Sequence, residues 1–151
     1  MRNSRLLSIA ASLALVAGVC TGTAVAADLK VLCDDTLRPA MQELAPAFEK
    51  SSGHKLSIQY DTADKIEQKV AADDPIDVAI LPKPQVDKLV RGAKLVGGST
   101  ATLASTKSPD LVYMAASPFF SEQPLPAKAL IDFLAAPANK AVYKAKGMEP
   151  G

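Results

Sequence analysis

Apolar residues recur along this chain in two rhythms, one of strands and one of helices. Leu29, Val31, Leu32 and Cys33 form a compact apolar run, the pattern of a strand covered on both faces. Asp34, Asp35 and Thr36 follow, with side chains suited to the start of a helix. Leu37, Met41, Leu44, Ala45 and Phe48 then return at helical spacing, which predicts a helix over residues 37–51. Pro39 fits the first turn of that helix, Pro46 lies deeper as a candidate kink, and Gly53 is the expected stop.

The same sentence is then repeated twice. Residues 55–60 alternate, with Leu56, Ile58 and Tyr60 on one face of a second strand. Asp61, Thr62, Ala63 and Asp64 open a helix whose buried stripe holds Ile66 and Val70, and Asp73-Asp74-Pro75 ends it. Residues 76–81 are a short apolar strand stopped by Pro82-Lys83-Pro84, and Val86, Leu89 and Val90 continue as a helix closing near Gly92. Strand–helix units joined by right-handed crossovers build a parallel sheet covered by helices. The fold class is therefore α/β, a three-layer domain with a mainly parallel sheet flanked by helices.

Beyond Gly92 the rhythm loosens. Residues 94–109 are rich in Gly, Ser and Thr and read as a loop, with at most a short strand at 94–96. Residues 110–116 are the next apolar strand, and 117–126, with three prolines and Phe119-Phe120, a connection. Two helical stretches follow, 127–134 and 139–146, separated by Pro137 and closed by Gly147.

The start of the chain has a different character. Arg2 and Arg5, the apolar stretch from Leu6 to Val19 and the small residues Ala24-Val25-Ala26 form the pattern of a secretory signal. Cleavage is expected after Ala26, or one residue later, so residues 1–26 are a signal peptide and 27–151 a single domain exported to the periplasm. Cys20 follows Val19 rather than the small residue that precedes a lipid-modified cysteine. Without residues 1–26 the chain has 125 residues, 15 basic and 16 acidic side chains, and a net charge of −1. That balance gives no electrostatic basis for nucleic-acid or anionic-membrane binding. Cys33 is then the one remaining thiol, so no intrachain disulfide forms, and its apolar strand marks it as an inert core residue.

Candidate chemistry is sparse. Asp34 and Asp35 fit either a carboxylate pair or the capping of a helix start. Asp73, Asp74 and Asp77 lack the glycine and distal Glu of a calcium loop and suit a helix end followed by a strand start. His54, the one histidine, is expected to be an exposed turn residue. Gly97-Gly98-Ser99-Thr100 lacks the lysine of a phosphate loop, and Phe119-Phe120 fits either a core anchor or a partner patch. No hydrolase or zinc-protease motif is present, so an enzyme is not expected, and no cofactor is called for.

Four local patterns carry a resemblance. They are residues 31–40 with Thr36-Leu37, Phe48-Glu49-Lys50 before Gly53, Asp74-Pro75-Ile76-Asp77-Val78, and Ala129-Leu-Ile-Asp-Phe-Leu134 followed by Pro137 and Lys146-Gly147. In that order behind a signal, the chain resembles the periplasmic solute-binding proteins of ABC importers, most closely the molybdate-binding type with the type II periplasmic binding fold. The resemblance covers residues 28–96 and 110–150, which correspond to lobe one of that family. Most of a second lobe is missing, and residues 97–109 stand where it would be inserted. It implies a small-molecule or oxyanion ligand held at the helix N-termini after the first two strands, with delivery to an ABC permease in the inner membrane. Carried over, the ligand-binding positions are Thr36, Thr62 and Ala63, with Asp35 beside them. Asp34, Asp35 and Asp61 oppose an oxyanion there, so a cationic, zwitterionic or polyol ligand stays open. The alternative is a shortened paralogue acting as an accessory domain, or an inactive deleted product. A sheet end left uncovered by a second lobe also makes a homodimer an expectation.

Overall fold

The computed structural model describes residues 25–107 and 110–151. Most of the segment expected to be a signal, up to residue 24 and including Cys20, lies outside the described residues, whereas Val25 and Ala26 are exposed. Six strands form one sheet: β1 (Asp28–Asp34), β2 (Lys55–Asp61), β3 (Val78–Pro82), β4 (Ala101–Lys107), β5 (Asp110–Ala116) and β6 (Glu149–Pro150). Five helices accompany them: α1 (Arg38–Ser52), α2 (Ala63–Ala71), α3 (Lys83–Arg91), α4 (Pro124–Ala135) and α5 (Lys140–Ala145).

The strand order is β2-β1-β3-β5-β4-β6. β1 pairs in parallel with β2 and with β3, and β5 lies antiparallel between β3 and β4. β4 therefore runs the same way as β1, β2 and β3, while β5 and the short β6 run against them. The sheet is mixed, with its four like-directed strands ending at one edge.

Period-two alternation in the strands explains the three layers. Leu29, Val31 and Cys33 of β1 and Val78 and Ile80 of β3 face one way, into a core closed by α1, α4 and α5. Leu32, Ala79 and Leu81 face the other way, against Ile66 and Val70 of α2 and Val86 and Leu89 of α3. Each of these side chains is buried, so truncating one of the large ones to Ala costs about 2–5 kcal/mol.

Several boundaries differ from the sequence reading. α1 starts after a 3-10 turn at Asp35–Leu37, continues through Pro46 and stops at Gly53, whose φ of +76° is left-handed as the stop requires. The prolines expected to stop the third strand also open α3, where Pro84 sits in a first turn that needs no N–H from it. Pro124 and Pro126 likewise fall in the first turn of α4, which begins three residues before the expected position.

The loop expected over 97–109 is corrected. Residues 97–99 form a 3-10 turn, and 101–107 are β4, an inner strand between β5 and β6. Its small Ala, Ser and Thr side chains hide the alternation, and the register slips between Thr102 and Ala104, which brings Leu103 and Ala104 both into the core. The short strand at 94–96 is a single bridge, Leu95 with Pro118. His54 is not an exposed turn residue. It is half-buried, its Nδ1 accepts the Ala27 N–H at 3.1 Å, and its ring lies 6.2 Å from that of Phe48. Phe119 and Phe120 part company: Phe119 is exposed, and Phe120 packs on the α2–α3 core.

Candidate functional site

The ends of β1 and β2 and the starts of α1 and α2 meet at one sheet edge. Asp34 and Asp61, the last residues of their strands, are register partners. The chain leaves each strand through polar residues and turns directly into a helix, which brings two helix starts side by side. Main-chain N–H groups of a first turn lack partners inside the helix and attract negative or polar groups.

The structure puts Asp35, Thr36, Thr62 and Ala63 on this edge but does not gather all four into one cleft. Asp35 and Thr62 line an open cleft of about 200 Å3 together with Arg38, Tyr60 and Asp61. Thr36 is turned toward β5, where its Oγ1 accepts a hydrogen bond from the Tyr113 hydroxyl at 3.2 Å. Ala63 is the first residue of α2, half-buried behind Thr62, and Thr62 caps α2 without a side-chain hydrogen bond.

The acids here are tied down. Asp34 is buried, and its Oδ1 accepts the Thr36 N–H at 2.9 Å, so the capping role anticipated for it is the one observed. Asp35 pairs with the Arg38 guanidinium, which also stacks 4.4 Å from the centre of the Tyr60 ring. Asp61 Oδ1 accepts the Thr62 N–H at 3.0 Å, and its carboxylate meets Lys65 at 3.4 Å and Lys69 at 3.3 Å. The Thr62 N–H first, and the two lysines after it, hold the Asp61 carboxyl below its ordinary value. Burial pushes the Tyr113 hydroxyl up, partly offset by its bond to Thr36. The Cys33 thiol beneath is fully buried and pushed far up, first by burial and then by Asp34 and Asp35, as suits an inert core residue.

Tyr113, Tyr60 and Arg38 adjoin the candidate positions and were passed over in the sequence. Tyr60 and Arg38 sit beside recognised positions, and a basic first-turn residue next to Asp35 was a usable signal. Nothing in sequence links Tyr113 to Thr36, which are 77 positions apart.

A second cleft, of about 250 Å3, lies at the opposite end of β1 and is lined by Asp28, Lys30, Asp73, Ile76, Asp77 and Glu122, among others. Asp77 is buried there as a structural tie. Its Oδ2 accepts the Lys30 N–H at 3.0 Å, and its Oδ1 accepts the Ser121 hydroxyl at 2.7 Å and the Gln123 N–H at 3.2 Å. Asp73 ends the turn after α2 with φ +59° and pairs with Lys94. Among the described residues no three His, Cys, Asp or Glu side chains converge as a metal site.

Comparison with known proteins gives this geometry a setting. The "substrate binding domain of putative molybdenum ABC transporter from Clostridium difficile" superposes with a TM-score of 0.77 at 10% identity, covering 83% of this chain and 100% of that one. The periplasmic molybdate-binding protein of Azotobacter vinelandii gives 0.73 at 12% identity over 82% of this chain and 99% of its own. The sulfate-binding protein of Mycobacterium tuberculosis gives 0.68 at 9% identity, over 82% and 87%. At such identities the likeness is one of fold, a lobe of the type II periplasmic binding proteins. By sequence, an aconitate isomerase from a Pseudomonas species is 31% identical over 83 residues, 52% of this chain and 32% of that protein. This chain spans about a third of that relative's length. The family described as bacterial extracellular solute-binding protein matches residues 29–112. That match runs from the first residues of β1 through both helix starts to β5, more than half of the chain. With fold and sequence pointing the same way, the chain belongs to the family of bacterial extracellular solute-binding proteins.

Proposed function

We propose that this chain is the ligand-holding lobe of a periplasmic binding protein that captures a small solute and delivers it to an ABC permease in the inner membrane. The observation that carries the reading is the coincidence of the family match with the paired helix starts at the ends of β1 and β2. The Thr36 and Tyr113 hydroxyls, the Thr62 and Ala63 main chain and the Asp35–Arg38 pair form the receiving edge. Molybdate and sulfate, named for the solved proteins of this fold, are the first oxyanions to try. Residues 1–26 act as the cleaved signal that takes the chain to the periplasm. A second lobe, expected within residues 97–109, would have to enter beyond β4, between Lys107 and Asp110, because 101–107 are a strand of the sheet.

Thermal melting of the purified protein against oxyanions, metals, amino acids, amines and sugars tests this reading. A saturable rise in melting temperature with one compound, reduced in Thr36→Ala, is expected by mass action. A cooperative melt that no compound shifts counts against solute binding.

A second reading has one observation behind it, the match to an aconitate isomerase. Incubation with aconitate separates the two: isomerisation that Asp34→Asn abolishes supports an enzyme, and its absence supports a binding protein.

A further inference from the structure

β2 is the outer strand on its side of the sheet and pairs with β1 alone. The Lys55 N–H bonds to the Ala27 carbonyl on the β1 side, so by alternation Ser57, Gln59 and Asp61 also turn their main-chain groups toward β1. Leu56, Ile58 and Tyr60 turn theirs outward. The Glu49 carboxylate takes the outward Leu56 N–H at 2.8 Å. Among the described residues no hydrogen bond reaches the outward main-chain groups of Ile58 and Tyr60. The strand has seven residues, no proline and no register shift, so it offers a template for one more strand.

The order of residues in β2 specifies which strand fits. Set against a reversed copy of itself about Ile58, it places Ile58 opposite Ile58, Leu56 opposite Tyr60, Ser57 opposite Gln59 and Lys55 opposite Asp61. Ile58 then occupies a hydrogen-bonded position, and each copy gives its Ile58 and Tyr60 N–H groups to the other. The half-buried Leu56, Ile58 and Tyr60 meet on the α1 face. On the opposite face the exposed Lys55, which joins none of the ion pairs among the described residues, comes to Asp61, which also holds Lys65 and Lys69. Glu49 of one copy, seated at Leu56, comes beside Arg38 of the other, which lies over Tyr60. One two-fold axis makes both opposite-charge pairs twice. The neighbouring register, centred on Gln59, sets Lys55 against Ala63 and Leu56 against Thr62 and loses this match.

We propose that β2 is a docking edge for a second copy of this chain, joined antiparallel about Ile58 so that one sheet runs through both copies. The helix starts at the ends of β1 and β2 then lie at opposite ends of the pair and stay open. Lys55 of the second copy stands beside Asp61, on the rim of the cleft that Asp61 lines.

Sedimentation velocity on a dilution series of the purified protein, with hydrogen exchange read at both ends of the series, is the test. The expected result is a reversible monomer–dimer equilibrium in which the Ile58 and Tyr60 amides are protected in the dimer and exchange freely in the monomer. The Ser57 and Gln59 amides face β1, stay protected in both and report a folded domain. Ile58→Lys sets like charges face to face on the axis and raises the dissociation constant of the dimer about tenfold or more. Should that variant not fold, the exchange pattern of the unaltered protein decides alone. A monomer at every concentration overturns the inference. So does a dimer whose Ile58 and Tyr60 amides exchange as fast as in the monomer, or one that a folded Ile58→Lys leaves unchanged.

Discussion

Replacing Asp77 by Ala removes the acceptor of three hydrogen bonds at once, from the Lys30 N–H, the Ser121 hydroxyl and the Gln123 N–H. These donors belong to β1 and to the segment that leads into α4, so the carboxylate ties elements far apart in sequence. A hydrogen bond to a charged group contributes about 1.5–3 kcal/mol, but the three share one carboxylate and the freed donors recover part of the loss from water. The carboxylate's own burial was also a cost, which the substitution relieves. A net loss of about 3–4 kcal/mol follows, against a total of about 5–15 kcal/mol for a domain of this size. With a urea slope of about 2 kcal/mol/M, the midpoint falls by about 1.5–2 M. Asp77→Asn retains one acceptor but presents an NH2 to at least one donor, so it lies between the two at about 2 kcal/mol. Urea denaturation followed by circular dichroism measures both. Hydrogen exchange should show the loss first at the start of α4, whose Ala127 N–H bonds to the Gln123 carbonyl. A midpoint for Asp77→Ala within about 0.3 M of the parent refutes the reasoning.

Gly53→Ala places a Cβ at φ +76°, where nothing lies within 4 Å, so the cost is backbone strain of about 1–2 kcal/mol in urea melts and no clash. Asp61 has a folded-state value below that of the unfolded chain, so its contribution is full above about pH 4 and disappears as the pH falls through the lower, folded-state value. Melting temperatures measured from pH 6 downward should therefore fall less steeply in Asp61→Asn, and an unchanged acid limb would contradict this account. Cys33 should react with an aromatic disulfide reagent only as the domain opens, with urea accelerating the reaction; labelling of the native protein within the mixing time would show the thiol is not core.

The first half of the fold was open to reading because each of its elements pairs one period with one kind of punctuation. β1, β2 and β3 carry Leu, Val and Ile in strand rhythm, and α1 to α3 begin with acid, Thr or Pro and end at Gly or Asp. β4 resisted because its strand character comes from position. It is held between β5 and β6, and its Ala, Ser and Thr residues need little side-chain volume there. His54 misled for a related reason: a turn next to Gly53 reads as exposed, but the chain's own Ala27 passes beside it. At the candidate site, sequence marked the helix starts and offered Asp34 as a cap, but it could not show that Asp61 would take the Thr62 N–H one position after it. Such local bonds depend on side-chain rotamers, which no apolar period encodes.

The antiparallel entry of β5 has an architectural consequence. β4 runs out to the sheet edge that carries the helix starts and β5 returns from it as its direct neighbour, with Lys107 paired to Asp110. Two adjacent antiparallel strands stand about 5 Å apart, so the chain leaves and re-enters the sheet through a single narrow gate. A folded unit spliced into that gate would need only closely spaced termini, and no strand of the sheet would change its neighbours. Such a unit would hang from two backbone links on the same sheet edge as the helix starts, across β3 and β5 from β1. The junction between β4 and β5 is thus a socket in which a reporter domain could be seated to register events at that edge.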